Sequence, residues 1–379
     1  MKGLFICHQG RQRPEVLASF LSQIHSRRTD RNLGVSVFLP RYVPATTARI
    51  LAEFAGLGAI TIADPEAHRM EVAFEKRGIA RSHLDYLATV DPEKHAEAFV
   101  NSVLLAQVNA GASVLVSPWL THGMGPGSRQ LRASRRFALA TAKHPLVSSR
   151  EWWIGVAISE NVLRVAEERD DFLDELVDWP SAPVYLRFWK QGVASYSQYG
   201  DEEVLKGLRN VVSALRSNGR DVVIPQSGLI GWLMTGFGAQ GFGAGISSSL
   251  HSLATGPAGG GGAEPLPWYF VPQLLGFVLR EELPIIAKVP GFRACDCPYC
   301  RKLAFTNGPP WDRESAGLHF LWFCTEIAAE QARARDPVVP LKRRVRAAED
   351  FWDTVQQAGV VLDERSVPNH LGAWSAAIA

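Results

Sequence analysis

Three of the five cysteines lie close together, in the segment Cys295-Asp296-Cys297-Pro298-Tyr299-Cys300. Thiolates at this spacing can hold one metal ion, because a tight turn brings the sulfur atoms to one side and leaves a fourth position open. We expect His319 to fill that position, with Cys324 as the alternative. Because three sulfurs and one nitrogen leave no open position, the pattern predicts a structural zinc ion (Zn2+) that does not activate water.

A second group of polar residues follows short apolar runs, where strands are expected to end. A carboxylate beside an imidazole tunes the imidazole for proton transfer near neutral pH. Asp64 and His122 are therefore the candidates for acid or base catalysis, with His8 and His251 as alternative partners of Asp64. In the competing interpretation, such side chains make ordinary hydrogen bonds at the ends of loops.

Candidates for substrate binding lie in the same regions of the sequence. The indole of Trp119 could stack on a planar base, and the amide of Gln191 or Gln226 could read the edge of that base through paired hydrogen bonds. Lys190 and Arg187 complete the set. Large aromatic side chains more often serve the core, which is the competing interpretation of Trp119.

Short runs rich in β-branched residues alternate with longer amphipathic segments, as in repeated β-α units. The predicted strands are Leu4 to Cys7, Val35 to Leu39, Ala59 to Ala63, Ser113 to Ser117, Trp153 to Ile158, Val184 to Phe188, Asp221 to Ile224 and Gly241 to Ile246. Predicted helices include Pro14 to Ser26, Pro92 to Ala110, Glu160 to Val177 and Asp201 to Asn218. Eight such units favour an α/β fold of the (β/α)8 TIM-barrel type. A dinucleotide-binding glycine motif and a P-loop are both missing from the sequence, which argues against nucleotide-binding open sheets.

The sequence predicts three parts. Residues 1–283 form the barrel, residues 284–335 form a zinc-binding subdomain, and residues 336–379 form a helical tail that packs on the barrel. Immediately before the cysteines, the mostly apolar segment Trp268 to Glu282 is predicted to be a helix.

The bulk composition is that of an ordinary globular protein. A chain of 379 residues with 46% hydrophobic content can bury a large core. The formal charge of +2 provides no strong overall attraction to nucleic acid or membrane. The apolar run at the start is too short for a signal peptide, and no stretch is long enough for a membrane helix. We therefore expect a cytoplasmic protein without a membrane partner.

A barrel followed by Cys-x-Cys-x-x-Cys and a later histidine that heads a helix resembles the tRNA-guanine transglycosylase family. Besides the three cysteines, the resemblance rests on Leu318-His319-Phe320-Leu321-Trp322-Phe323 and on the segment from Gly228 to Ala239, which precedes a glycine-rich strand. It covers Val184 to Arg335 best. The resemblance implies a zinc-containing barrel that binds a purine or deazapurine base.

Enzymes of that family exchange a guanine in nucleic acid, usually tRNA and in some relatives DNA, for a 7-deazaguanine. They use an aspartate nucleophile at the end of the last barrel strand. By the same resemblance, Lys190-Gln191-Gly192 falls where the family binds the base. This chain departs from the pattern, because Gly241 to Ser247 contains no carboxylate. It therefore resembles a divergent member, in which Asp64 is the remaining carboxylate at a strand end.

The favoured hypothesis is a glycosyltransferase-like enzyme that binds guanine or 7-deazaguanine and acts at an N-glycosidic bond in tRNA, DNA or a nucleoside. In this hypothesis Asp64 is the acid or base. The alternative is a catalytically inactive transglycosylase-like subunit that binds nucleic acid or supports an active partner, as a homodimer or as a heterodimer with a transglycosylase-like chain. A third hypothesis is small-molecule chemistry, since the near-neutral charge gives little help in holding a polyanion.

Overall fold

The computed structural model describes residues 2–10, 12–27, 32–67, 92–120, 128–189, 198–247, 251, 267–300 and 312–379. Eight parallel strands close into a barrel in sequence order, with β1 hydrogen-bonded to both β2 and β8. These strands are β1 (Leu4–Gln9), β2 (Leu33–Phe38), β3 (Ile60–Asp64), β4 (Val114–Val116), β5 (Glu151–Ser159), β6 (Val184–Trp189), β7 (Val222–Ile224) and β8 (Ala239–Gly245). The prediction of a (β/α)8 barrel is confirmed.

Helices follow the strands around the barrel. They are α1 (Pro14–Arg27), α2 (Pro44–Gly56), α3 (Ala96–Asn109), α4 (Arg129–Ala142), α5 (Glu160–Arg164), α6 (Ala166–Val177), α7 (Glu202–Ser217) and α8 (Leu229–Thr235). The predicted helix from Glu160 to Val177 is interrupted at Val165, whose extended backbone ends α5 and begins α6. Among the described residues, no helix has the length and apolar character needed to cross a membrane.

Helix α7 shows why the sequence adopts this arrangement. The side chain of Asp201 caps its first turn by accepting a hydrogen bond from the backbone N–H of Val204 at 3.1 Å. Apolar residues at helical spacing then form one buried face, which packs towards the barrel. The residues of this face include Val204, Leu205, Leu208, Val211, Val212 and Leu215.

Glycines provide room inside the barrel, where inward-facing side chains would otherwise collide. A Cβ at Gly155 on β5 would lie 2.2 Å from the indole of Trp119, so its absence allows that ring to enter the interior. A Cβ at Gly243 on β8 would lie 2.8 Å from Nε2 of His8 and 3.0 Å from the carbonyl oxygen of Ile6. The glycine spacing of β8 therefore permits the close approach of β1 and its histidine.

The predicted helix from Trp268 to Glu282 is wrong. The segment forms an antiparallel hairpin of β9 (Trp268–Val271) and β10 (Gly276–Leu279), followed by short helical turns that include α9 (Leu283–Ile286). Pro272 cannot donate the hydrogen bond that a helix interior needs, and Leu275 adopts a left-handed turn conformation with φ of 47°. Apolar content alone does not distinguish the two structures, because a short apolar run is compatible with either a strand or a helix.

The C-terminal part consists of three helices: α10 (Arg313–Arg333), α11 (Val338–Gln357) and α12 (Leu371–Ile378). Helix α10 packs against β1, β8 and β9, and α12 packs against α7 and α11. Arg209 on α7 donates a hydrogen bond of 2.8 Å to the carbonyl oxygen of Ala377. The division of the chain at residues 283 and 335 stays a prediction.

Candidate metal centre and barrel mouth

The three clustered cysteines and His319 come together in one small cluster. Their ligand atoms all lie within 4.8 Å of one another, and Nδ1 of His319 is 3.4 Å from Sγ of Cys297 and 3.2 Å from Sγ of Cys300. A tetrahedral ion with metal–sulfur and metal–nitrogen bonds of ordinary zinc length would require sulfur–nitrogen separations of about 3.5 Å. The Cys295, Cys297, Cys300 and His319 cluster could therefore bind a metal ion.

Helix α10 and the β9–β10 hairpin fix the orientation of His319. Its Nε2 lies 2.8 Å from the backbone carbonyl oxygen of Phe270. Because a carbonyl can only accept, Nε2 must carry the proton, and the lone pair of Nδ1 therefore faces the sulfurs. The ring of Tyr269 stacks on His319 at 4.7 Å, and its hydroxyl lies 3.0 Å from Sγ of Cys300. Residues of the β9–β10 hairpin thus orient the imidazole of His319 and contact one of the sulfur atoms.

The backbone of the cysteine motif supplies hydrogen-bond donors to two of its sulfur atoms. Backbone N–H groups of Cys297 and Cys300 each donate to the sulfur of the preceding cysteine in the motif at 3.4 Å. Hydrogen bonds from Cys295 and Cys300 lower the pKa of Cys297 to about 3, whereas hydrogen bonding with Cys295 and Cys297 raises the pKa of Cys300. A bound cation would displace the remaining thiol protons, because a metal binds cysteine as the thiolate.

A buried ion pair joins Asp64, the last residue of β3, to Arg187, which lies two residues before the end of β6. Nη2 of Arg187 donates to Oδ2 of Asp64, and both side chains are 0% exposed. The hydroxyl of Tyr185 donates to the same oxygen at 2.8 Å. Burial, and then the charge of Asp64, raises the pKa of Tyr185 well above its ordinary value, so the hydroxyl remains a donor.

The network continues to β7 and β1. Nη1 of Arg187 donates to Oε1 of Gln226, and the backbone N–H of Gln226 donates to Nε2 of His8 at 2.9 Å. Burial, and then the positive charge of Arg187, lowers the pKa of His8 well below its ordinary value. His8 is therefore neutral in the folded protein at neutral pH.

Two residues of this network have strained backbones. Among the described residues other than glycine, only Glu66, Gln226 and Leu275 have positive φ, and the values for Glu66 and Gln226 are 42° and 50°. The backbone N–H of Glu66 donates to Oδ1 of Asp64 at 3.0 Å. Strain of this kind costs energy and tends to persist at ligand sites, where the surrounding structure imposes it.

Several predicted site residues meet in this network, and others do not. Asp64, Arg187 and Gln226 are joined by the bonds described above. Trp119 lies beside them, with the guanidinium of Arg187 at 5.1 Å from its ring centroid, but it is 0% exposed; its role in base stacking stays a prediction. His122, Lys190 and Gln191 lie outside the described residues.

The alternative histidine partners of Asp64 are also placed. His8 accepts from Gln226, and Nε2 of His251 lies 2.8 Å from the carbonyl oxygen of Gly245. Sequence reasoning missed Tyr185 and Glu66. The alternation of side chains along a strand puts Tyr185 on the same face as Arg187, a signal that could have found it; nothing comparable pointed to Glu66.

Comparisons with known proteins add little to this picture. No family profile and no curated protein matches the sequence. Among solved structures, the chain is similar to a deoxyribose phosphate aldolase from Aeropyrum pernix, with 17% identity, a TM-score of 0.37, and 65% of this chain and 86% of that chain covered. It is also similar to a 3-dehydroquinate dehydratase from Enterococcus faecalis, with 11% identity, a TM-score of 0.34, and 65% and 90% covered. The closed sheet of eight parallel strands defines the chain as a TIM barrel.

Proposed function

We propose that the barrel mouth binds a guanine or 7-deazaguanine base, carried by tRNA, DNA or a nucleoside, and that the protein acts at the N-glycosidic bond of that base. The observation that carries the proposal is the buried network of Asp64, Arg187, Gln226 and His8 at the C-terminal strand ends. Barrel enzymes place their chemistry at this end. The resemblance of the sequence to the transglycosylase family is the reason for proposing guanine or 7-deazaguanine as the base.

The network assigns different roles to its members. Asp64 already accepts hydrogen bonds from Arg187, Tyr185 and the backbone of Glu66, and a carboxylate offers about four acceptor positions, so about one remains. In our proposal that position takes the proton of the incoming nucleophile, water or a base nitrogen, as it attacks the anomeric carbon. The electron pair of the broken C–N bond leaves on the departing base.

The other residues have binding roles in this proposal. Gln226 and Arg187 read the edge of the base. The remaining candidates for stacking, binding and proton transfer are Trp119, Lys190, Gln191 and His122.

We further propose that zinc occupies the Cys295, Cys297, Cys300 and His319 cluster. Three thiolates and an imidazole suit zinc and fill a tetrahedral shell. When bound, the ion supplies a structural cross-link between the cysteine segment and α10. A cytoplasmic location belongs to the same proposal, because clustered thiolates stay available to a metal in a reducing compartment.

One observation favours the second candidate, an inactive subunit that supports a transglycosylase-like partner or a second copy of this chain. A carboxylate-bearing side chain cannot be placed at Gly243 without displacing His8, because the Cβ alone would lie 2.8 Å from the imidazole. Position 243 lies in the segment of β8 where the resemblance implies the family nucleophile. A barrel with this position closed would need another chain to supply a covalent step.

The two candidates are separated by one experiment on the purified protein. Labelled guanine is incubated with the protein and guanine-containing tRNA, DNA or guanosine, and base exchange or release is followed together with the molar mass in solution. We expect turnover by the protein alone and a loss of activity of about a hundredfold or more in Asp64→Asn, compared at a temperature where both are folded. Asp178→Asn, which changes an exposed carboxylate, is the matched control. Binding of guanine without turnover would favour the inactive subunit, and no binding of guanine in any form would reject both.

A further inference from the structure

The barrel mouth contains two buried hydrogen-bond donors without a partner among the described residues. They are Nδ1 of His8 and Nε of Arg187, and both side chains are fully buried. A buried donor left unpaired lowers stability, because it has lost its hydrogen bond to water without a replacement. Two such donors in one network indicate that a further molecule accepts their hydrogen bonds.

The state of His8 follows from its other nitrogen. A backbone N–H can only donate, so Nε2 of His8, which receives the N–H of Gln226 at 2.9 Å, must be the unprotonated nitrogen of the neutral ring. The proton therefore resides on Nδ1. This nitrogen is a donor, and its ligand must offer an acceptor.

The two donors belong to the same small region. The imidazole of His8 stacks on the ring of Phe38 with centroids 5.6 Å apart, and the guanidinium carbon of Arg187 lies 5.7 Å from the same ring. Gln226 joins them on another side, since its side chain accepts from Arg187 and its backbone donates to His8. Both donor-bearing side chains therefore border the same aromatic ring and the same glutamine.

The charges select a neutral acceptor. Arg187 is neutralised by Asp64, His8 is uncharged, and the carboxylate of Glu66 acts electrostatically on Arg187. An anionic ligand such as phosphate would enter a region whose positive charge is already compensated. A carbonyl oxygen accepts hydrogen bonds without that penalty.

We infer that His8 and Arg187 form a specificity subsite for a carbonyl oxygen of the ligand, the oxygen at C6 of an oxopurine. The inference rests on the proposed function, because it takes the ligand to be a purine. It adds that the oxygen, rather than the ring alone, determines which base is accepted. His8 and Arg187 are then specificity residues, separate from the proton transfer assigned to Asp64.

The affinity of the protein for three free bases, measured by calorimetry, tests this inference. Guanine carries the oxygen, 6-thioguanine replaces it with a weaker acceptor while keeping the neighbouring N–H, and 2-aminopurine lacks it. We expect guanine to bind wild-type protein about 10-fold to 100-fold more tightly than 2-aminopurine, with 6-thioguanine between them, as for loss of one or two buried hydrogen bonds.

Two substitutions at His8 separate its nitrogens. In His8→Gln the amide reaches the position of Nε2 and can still accept from Gln226, but no donor remains at the position of Nδ1. In His8→Asn the amide stands at the position of Nδ1 and keeps a donor there. We expect the preference for guanine over 2-aminopurine to fall to about 1 in His8→Gln and to persist in His8→Asn. Circular dichroism establishes that each variant is folded.

The outcomes distinguish the inference from the function on which it rests. Equal binding of the three bases by wild-type protein would overturn the inference and leave the proposed function standing, with water as the partner of the two donors. This comparison needs no variant and remains decisive if His8→Gln fails to fold. A guanine preference that survives in a folded His8→Gln would also overturn it. Binding of none of the three bases would overturn both proposals.

Discussion

Two buried histidines have opposite protonation patterns, and the contrast separates the two polar regions of the molecule. In His319, Nε2 carries the proton towards the carbonyl oxygen of Phe270, and Nδ1 faces the thiols. In His8, Nε2 is the acceptor for the backbone of Gln226, and Nδ1 carries the proton. The first ring could therefore bind a cation, and in our proposal the second binds an acceptor.

The two regions also differ in how many of their polar groups have a partner. The cysteine cluster offers four ligand atoms at distances that suit a closed metal shell, so one bound ion would satisfy all four. The barrel mouth leaves two donors of His8 and Arg187 without partners in the described part of the chain. In our proposals the cysteine cluster supports the fold, whereas the barrel mouth binds a ligand at some cost in stability.

The strongest test of this comparison is removal of a metal ligand. Cys300→Ser should abolish tight zinc binding and unfold or loosen the hairpin and α10, with a loss of several kcal/mol, because structural zinc contributes directly to folding free energy. Metal content and thermal unfolding are measured, with exposed Asp296→Asn from the same loop as the control. Unchanged metal content in Cys300→Ser would contradict the assignment of that sulfur as a ligand.

Breaking the ion pair of the barrel mouth should have the next largest effect. Asp64→Asn leaves the charge of Arg187 buried without its counter-ion, so we expect the free energy of unfolding to fall by about 3–5 kcal/mol. Denaturant unfolding measures the change. The double variant Asp64→Leu with Arg187→Met should lose less than the sum of the single variants. The exposed pair of Arg135 and Asp178 provides the control, and Asp178→Asn should cost less than about 1 kcal/mol.

Substitution of Gly243, the glycine that makes room for His8, should have a smaller effect on stability. Gly243→Ala should destabilise the protein by about 1–3 kcal/mol, because its Cβ would press on the imidazole and on the carbonyl of Ile6. Gly372→Ala is the matched control: that position is exposed on α12, its Cβ would meet nothing within 4 Å, and it should stabilise by about 0.5–1 kcal/mol. Equal stability of the two variants would argue against tight packing at His8.

The smallest expected effect is a pH dependence of the free energy of unfolding that arises from His370, outside both regions. Burial lowers the pKa of His370 from 6.5 to about 3 in the folded protein. Below pH 6.5 the unfolded chain takes up a proton that the folded protein does not, so the free energy of unfolding should fall by up to about 1.4 kcal/mol per pH unit, whereas the contribution is fully present above pH 6.5. Unfolding between pH 6.5 and 5 in wild type and His370→Asn measures this slope. An identical slope in the variant would refute it, and exposed His25→Asn is the control.

The fold was predictable to the extent that it depends on local patterns. The eight strand positions follow from short apolar runs, and the N-terminal cap of α7 follows from Asp201 ahead of an amphipathic face. The hairpin of Trp268–Val271 and Gly276–Leu279 was missed because a short, wholly apolar segment carries no periodicity that separates strand from helix.

The sequence by itself determined the candidate metal ligands, because three of the four lie within one turn and their spacing already expresses the geometry of the shell. Only the tertiary structure decided which polar residues of the barrel meet. The bonds from Tyr185 and Arg187 to Asp64 span 121 and 123 positions, and the bond from Gln226 to His8 spans 218. Contacts at such separations are created by closure of the sheet, which brings distant strand ends to one rim and leaves no trace in local spacing.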